Sequence, residues 1–114
     1  ERLGLKIEWV PMTGLFSPSF ANVDRALRII NDPAKQPVLV HCRFGKDRTG
    51  VTVSAYRTAT ERMAVPDAVK EARSYGCCAP LFLPLKPYLE RYLQRRERPW
   101  FRKASALLKR LPAA

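Results

Sequence analysis

The stretch that most constrains the fold is Pro37-Val38-Leu39-Val40-His41-Cys42-Arg43-Phe44-Gly45-Lys46-Asp47-Arg48-Thr49-Gly50. It joins a short β-branched apolar run to a helical pattern through a tight loop. The run follows the breaker Asn31-Asp32-Pro33 and predicts a buried strand over 38–41. Apolar residues at helical spacing predict a buried helix over 49–63. A loop from Cys42 to Arg48 between two such elements turns its backbone N–H groups toward the helix N-terminus. Those groups and the positive end of the helix dipole favour an anion.

The side chains in the loop fit the same charge. A free thiol is mostly protonated at neutral pH. At a helix N-terminus beside an arginine its pKa can fall to about 4–7, which makes the thiolate the resting form. Cys42 is the candidate nucleophile. Arg48, six positions on, offers a planar fork of donors that suits two phosphate oxygens at once. Thr49 can donate its hydroxyl to the sulfur. Gly45 lets the backbone approach a phosphate with no side chain in the way. Lys46 adds positive charge at the rim, and Arg43 and Phe44 flank it. His41 is expected to hydrogen-bond backbone carbonyls and hold the loop's shape, and Gly50 closes the motif. The chemistry this set suits is attack of sulfur on a phosphate ester, with no metal or other cofactor required. A P-loop NTPase is disfavoured, because Gly45-Lys46 is followed by Asp47 rather than Ser or Thr and the upstream glycine is missing.

His41-Cys42-x-x-Gly45-x-x-Arg48-Thr49-Gly50 resembles the signature loop of the cysteine-dependent protein tyrosine phosphatases. With Lys46-Asp47 before the arginine, it is similar to the compact dual-specificity branch and its bacterial tyrosine and phosphoinositide phosphatase relatives. Trp9-Val10-Pro11-Met12, Ser17-Pro18, Tyr56-Arg57 and Ala68 to Gly76 sit where that family has comparable segments, so the resemblance covers residues 5–94. It implies an α/β fold of three layers, a short and mostly parallel sheet flanked by helices, with N-terminal strands missing from this chain. It also implies hydrolysis of phosphate monoesters through a phosphocysteine. The expected substrates are phosphotyrosine, phosphoserine or phosphothreonine in proteins, or a phosphoinositide.

The general acid is the departure from that pattern. The family usually carries an aspartate on a separate loop about thirty residues before the cysteine, an acid worth about 10²–10⁴-fold. Here Val10 to Ser17 contains no Asp, Glu or His. Asp24 and Asp32 read as a solvated helix face and a turn former. Asp47, inside the loop, is the substitute candidate, since myotubularin-like lipid phosphatases have an acidic residue there implicated as the acid. Alternatively it pairs with a cation or caps the helix. With no acid at all, the chain would be slow on poor leaving groups or would be a phosphate-binding module with weak turnover. A rhodanese-like sulfurtransferase is a further alternative.

Apart from the strand at 38–41 and the helix at 49–63, the pattern predicts a strand over 5–10 and helices over 19–30, 66–75 and 86–95. The first strand, first helix and second strand would form one right-handed βαβ unit. Residues 1–97 are expected to be a partial, C-terminal portion of a phosphatase-like catalytic domain. Residues 98–114 then form a basic amphipathic tail, with Trp100, Ala104, Leu107, Leu108 and Leu111 on one helical face. Such a helix either docks on the domain or lies on an anionic membrane surface. The charge supports anionic partners generally, with 21 Lys and Arg against 10 Asp and Glu, a net +11. Nucleic acid is disfavoured because no stacking pattern interleaves the cations. Three cysteines, one of them reactive, fit a reducing compartment, with Cys77-Cys78 as small apolar fillers. The expected location is the cytoplasm or the periphery of a membrane.

Overall fold

A computed structural model describes residues 3–12, 17–78 and 84–109 of the chain. Among the described residues five α-helices follow in order: α1 (Phe20–Asn31), α2 (Asp47–Ala59), α3 (Val65–Ser74), α4 (Leu85–Glu97) and α5 (Pro99–Lys109), with a short 3-10 turn at Pro33–Lys35. Helix α2 is the hub and packs against α1, α3 and α4.

Each helix follows from its local sequence. Ser19 caps α1, its Oγ accepting the Asn22 N–H at 3.2 Å, and Val23, Ala26 and Leu27 form the buried stripe. In α3, Pro66 sits in the first turn, where its missing N–H is not needed, and Ala68, Val69 and Ala72 face inward. Gly76, at φ +85°, ends that helix. The Gly76 N–H reaches the Arg73 carbonyl and the Cys77 N–H the Ala72 carbonyl, both at 3.0 Å, which is the Schellman arrangement. Helix α4 contributes Leu85, Tyr88, Leu89 and Tyr92 to the core.

Helix α2 differs because it is enclosed on several sides, so its buried positions include Thr52, Ser54 and Thr58 as well as Val51 and Ala55. Buried hydroxyls need partners. Here they bond back along the helix: Thr52 to the Arg48 carbonyl at 2.9 Å, Ser54 to the Gly50 carbonyl at 2.6 Å and Thr58 to the Ser54 carbonyl at 2.9 Å.

The expected α/β fold is corrected here: among the described residues there is no strand and no sheet, and the architecture is a helical cluster. Residues 5–10 and 38–41 carry the apolar composition of strands but no ladder. A strand persists only as half of a hydrogen-bonded pair, and two short ones make a marginal sheet. Unpaired, their large side chains lie in solvent, with Leu5 at 64%, Ile7 at 75%, Trp9 at 76% and Leu39 at 86% exposure. The N-terminal segment is instead tied down by an ion pair from Lys35 to Glu8 at 2.8 Å and by the Asn22 side chain, which donates to the Pro11 carbonyl at 2.9 Å.

A second correction concerns Asp24. It does not sit on a solvated face. Its carboxylate accepts from the Tyr92 hydroxyl at 2.6 Å, from Arg95 at 2.6 Å and from Arg96 at 3.3 Å, which pins α1 to α4. Burial and the neighbouring carboxylate push the Tyr92 phenol up, so this hydroxyl stays a donor. Arg95 and Arg96 in turn lie over the Phe101 ring at 4.9 Å and 5.6 Å, which is how α5 meets α4. Trp100 and Leu107 on α5 remain exposed; the side chain of Leu108 and all of Leu111 lie outside the described residues.

Candidate active site

The loop from Cys42 to Lys46 has no regular structure, and α2 begins at Asp47. Lys46, at the N-cap position, has no side-chain acceptor to offer the helix. The first-turn N–H groups therefore lack the usual cap and remain donors for an anion.

Cys42 lies in that cradle as a free, half-buried thiol. Burial is the largest influence on it and pushes the thiol up. The Thr49 hydroxyl and the backbone N–H groups of Thr49, Gly45 and Phe44 together outweigh burial and hold it at about 7, below its ordinary value. The Thr49 Oγ1 is buried and makes no hydrogen bond of ordinary geometry within the described protein. Its proton is left to the nearby sulfur, or to an oxyanion bound beside it. Gly45 adopts φ +67°, the left-handed region that a side chain disfavours, and its N–H is among the groups that lower the thiol.

Arg48 lies in the first turn of α2. Its half-buried guanidinium donates to the Met12 carbonyl at 3.4 Å, joining the loop to the N-terminal segment. The groups that lower the thiol most are a hydroxyl and three amides. One of its five N–H donors is used at Met12, and among the described residues the others make no hydrogen bond. Arg43 lies over the Phe44 ring at 5.3 Å, and Phe44 is 74% exposed, outside the core. His41 is exposed, and among the described residues its ring makes no hydrogen bond to the loop. Lys46 is exposed at the rim, its stem running past Gly76, where an added Cβ would meet it at 3.6 Å.

The loop rests on a platform that sequence reasoning missed. The turn that ends α3 carries Cys77 and Cys78 back against the start of α2, both buried. The Asp47 carboxylate accepts the Cys78 N–H at 2.9 Å. Gly50 sits against Cys77 so closely that a Cβ there would meet the Cys77 Sγ at 2.5 Å and Cβ at 2.6 Å, which excludes any larger residue without a shift. The only signal in the sequence is Gly76, which marks a helix end; that the end packs on a loop thirty positions away is a tertiary fact. The Asp47 carboxylate and the two sulfurs lie within 4.8 Å of one another.

Comparison with known proteins finds phosphatases. A family model described as a DSP-PTPase phosphatase fused to NAD+ kinase matches residues 2–80. The chain is 41% identical over 59 residues to inositol diphosphatase SIW14 of Saccharomyces cerevisiae, covering 47% of this chain and 21% of that protein. It is 36% identical over 61 residues to inositol diphosphatase DSP2 of Oryza sativa subsp. japonica, covering 50% of this chain and 30% of that protein. The chain thus spans less than a third of the length of these curated relatives. No solved structure matches. Since the family match takes in more than half of the chain and includes the whole of the cysteine loop and its platform, the chain belongs to the dual-specificity phosphatase family described as fused to NAD+ kinase.

Proposed function

We propose that this chain carries the catalytic loop of a phosphatase in which Cys42 is the nucleophile, and that its substrate class is the inositol diphosphates for which its relatives are named. The observation that carries the reading is the sulfur enclosed by one hydroxyl and three amides at an uncapped helix start. The thiolate attacks phosphorus, the loop amides and Thr49 bind the equatorial oxygens, and the leaving group departs. Water then frees phosphate from the phosphocysteine. Arg48 supplies its unused donors to the phosphate in the bound state. Arg43 and Lys46, exposed on either side of the loop, are charges for the further phosphates of a densely phosphorylated ring.

A substrate panel tests the assignment. kcat/KM on an inositol diphosphate is expected to exceed that on a phosphotyrosine peptide or a phosphoinositide by at least about tenfold, from one or two added charge-assisted contacts. Equal or higher kcat/KM on the phosphopeptide would mark a protein phosphatase instead. Binding of phosphate with no turnover of any substrate would support a phosphate-binding module.

A further inference from the structure

We propose that α5 is an interfacial anchor, which lays an apolar stripe on an anionic lipid surface and holds the chain there. The stripe consists of Trp100, Ala104 and Leu107, which recur at i, i+4 and i+7, the spacing of one helical face. The contact with α4 runs through the neighbouring face, where Phe101 is half-buried under Arg95 and Arg96 at 4.9 Å and 5.6 Å. Arg95 also lies 6.0 Å from the Trp100 ring, but Trp100 remains 55% exposed. Leu107 is 64% exposed, and Ala104 is exposed between them. Helix α5 is thus held to α4 by Phe101 and leaves a second apolar face in water.

Charge decides what covers that face. Residues 98–114 hold Arg98, Arg102, Lys103, Lys109 and Arg110 and no Asp or Glu. Arg98, Arg102 and Lys103 are exposed, and none of them makes an ion pair among the described residues. Lys103 flanks the stripe, and Arg102 lies on the side away from it. Long side chains so placed reach headgroup phosphates while the apolar stripe enters the acyl boundary. A second copy laid stripe to stripe would bring the same cations together, and like charges oppose that contact. Trp100 at the centre of the stripe is the side chain that favours the boundary between water and hydrocarbon.

The mode of attachment follows from length. Helix α5 has 11 residues, and no described helix is long and apolar enough to cross a membrane, so α5 lies in the plane of the surface. Its position in the chain, beyond the matched residues 2–80, keeps the anchor outside the matched phosphatase region. Three apolar side chains bind weakly by themselves. Each cation near an anionic surface strengthens binding about fivefold, so Arg98, Arg102 and Lys103 together contribute about a hundredfold. Lipid charge is therefore the larger share of the affinity.

The experiment sediments the whole chain with vesicles of phosphatidylcholine alone, or of equal parts phosphatidylcholine and phosphatidylserine. Partitioning is expected to be about a hundredfold stronger on the anionic vesicles. It should fall at least about tenfold in about 1 M salt, where the screening length shrinks to about 3 Å. Leu107→Glu should weaken anionic binding by at least about tenfold, and Arg102→Gln with Lys103→Gln by about thirtyfold. These side chains are exposed, so the urea midpoint is expected to stay in place; if Leu107→Glu lowers it, the double glutamine variant decides. Equal binding to both vesicle types would overturn the proposal. Variants that bind anionic vesicles within about threefold of wild type would overturn it too, and would move the contact to the cysteine loop or to exposed Leu5, Ile7 and Trp9. No vesicle binding would also overturn it. In that case a dimer that Leu107→Glu dissociates would assign the stripe to a second copy, and a monomer would leave it to another protein.

Discussion

Replacing Cys42 with serine is expected to lower kcat on p-nitrophenyl phosphate by at least about 10⁴-fold, the scale seen when a covalent nucleophile is removed. The change is one atom, and the loop has no reason to move. The effect comes from ionisation. The hydroxyl of Thr49 and the amides of Thr49, Gly45 and Phe44 bring a thiol to about 7, so roughly half of it is anionic at neutral pH. The same donors acting on an alcohol, whose ordinary pKa lies far higher, leave it protonated and inert. Because the cradle survives, Cys42→Ser should still bind inorganic phosphate, and that binding separates loss of chemistry from loss of fold. Residual turnover within about tenfold of wild type would show that the sulfur is not the nucleophile.

Asp24→Ala is expected to cost about 2–3 kcal/mol of stability, read as a lower urea midpoint at unchanged slope. A fully buried ion pair broken from one side costs about 3–5 kcal/mol. The value here is discounted because the Asp24, Arg95 and Arg96 side chains retain 16%, 28% and 32% of their exposure. The larger share comes from Tyr92, which is fully buried and would keep a hydroxyl without its acceptor. Two guanidiniums would also lose their counter-charge at the α1–α4 contact. Since a domain is stable by only about 5–15 kcal/mol, this is a large fraction of the total. A change below about 0.5 kcal/mol would mean that the cluster is solvated and contributes nothing.

These two residues mark what the sequence makes legible. Cys42, Gly45 and Thr49 could be read because a phosphate-binding loop is a local object: the spacing of a few residues sets the geometry, and the structure places them around one sulfur. The helices of residues 20–31, 65–74 and 85–97 were legible for the same reason, from a serine cap, a first-turn proline, a terminal glycine and apolar periodicity. The strands were not, because an apolar run at 5–10 or 38–41 states only a preference, and pairing depends on a partner that the run does not encode. Asp24 reads as one more charge on a helix until Tyr92, Arg95 and Arg96, about seventy positions away, close on it. Asp47 is a similar case. Its neighbours in sequence suggest catalysis, while its partner in space is the amide of Cys78. Arg48 was read from its spacing and its fork of donors as a holder of phosphate oxygens; that it also ties the loop to the Met12 carbonyl is a tertiary contact.

The most direct test of the ionised cysteine is the rate of alkylation of Cys42 by iodoacetamide as a function of pH. Only the thiolate reacts, so the rate must rise with pH and level off above the thiol's pKa. A midpoint at about 7, below that of an ordinary thiol, is the predicted result. A midpoint of about 8.5 or higher, the value of an unperturbed cysteine, would contradict it and remove the basis for sulfur attack on phosphorus.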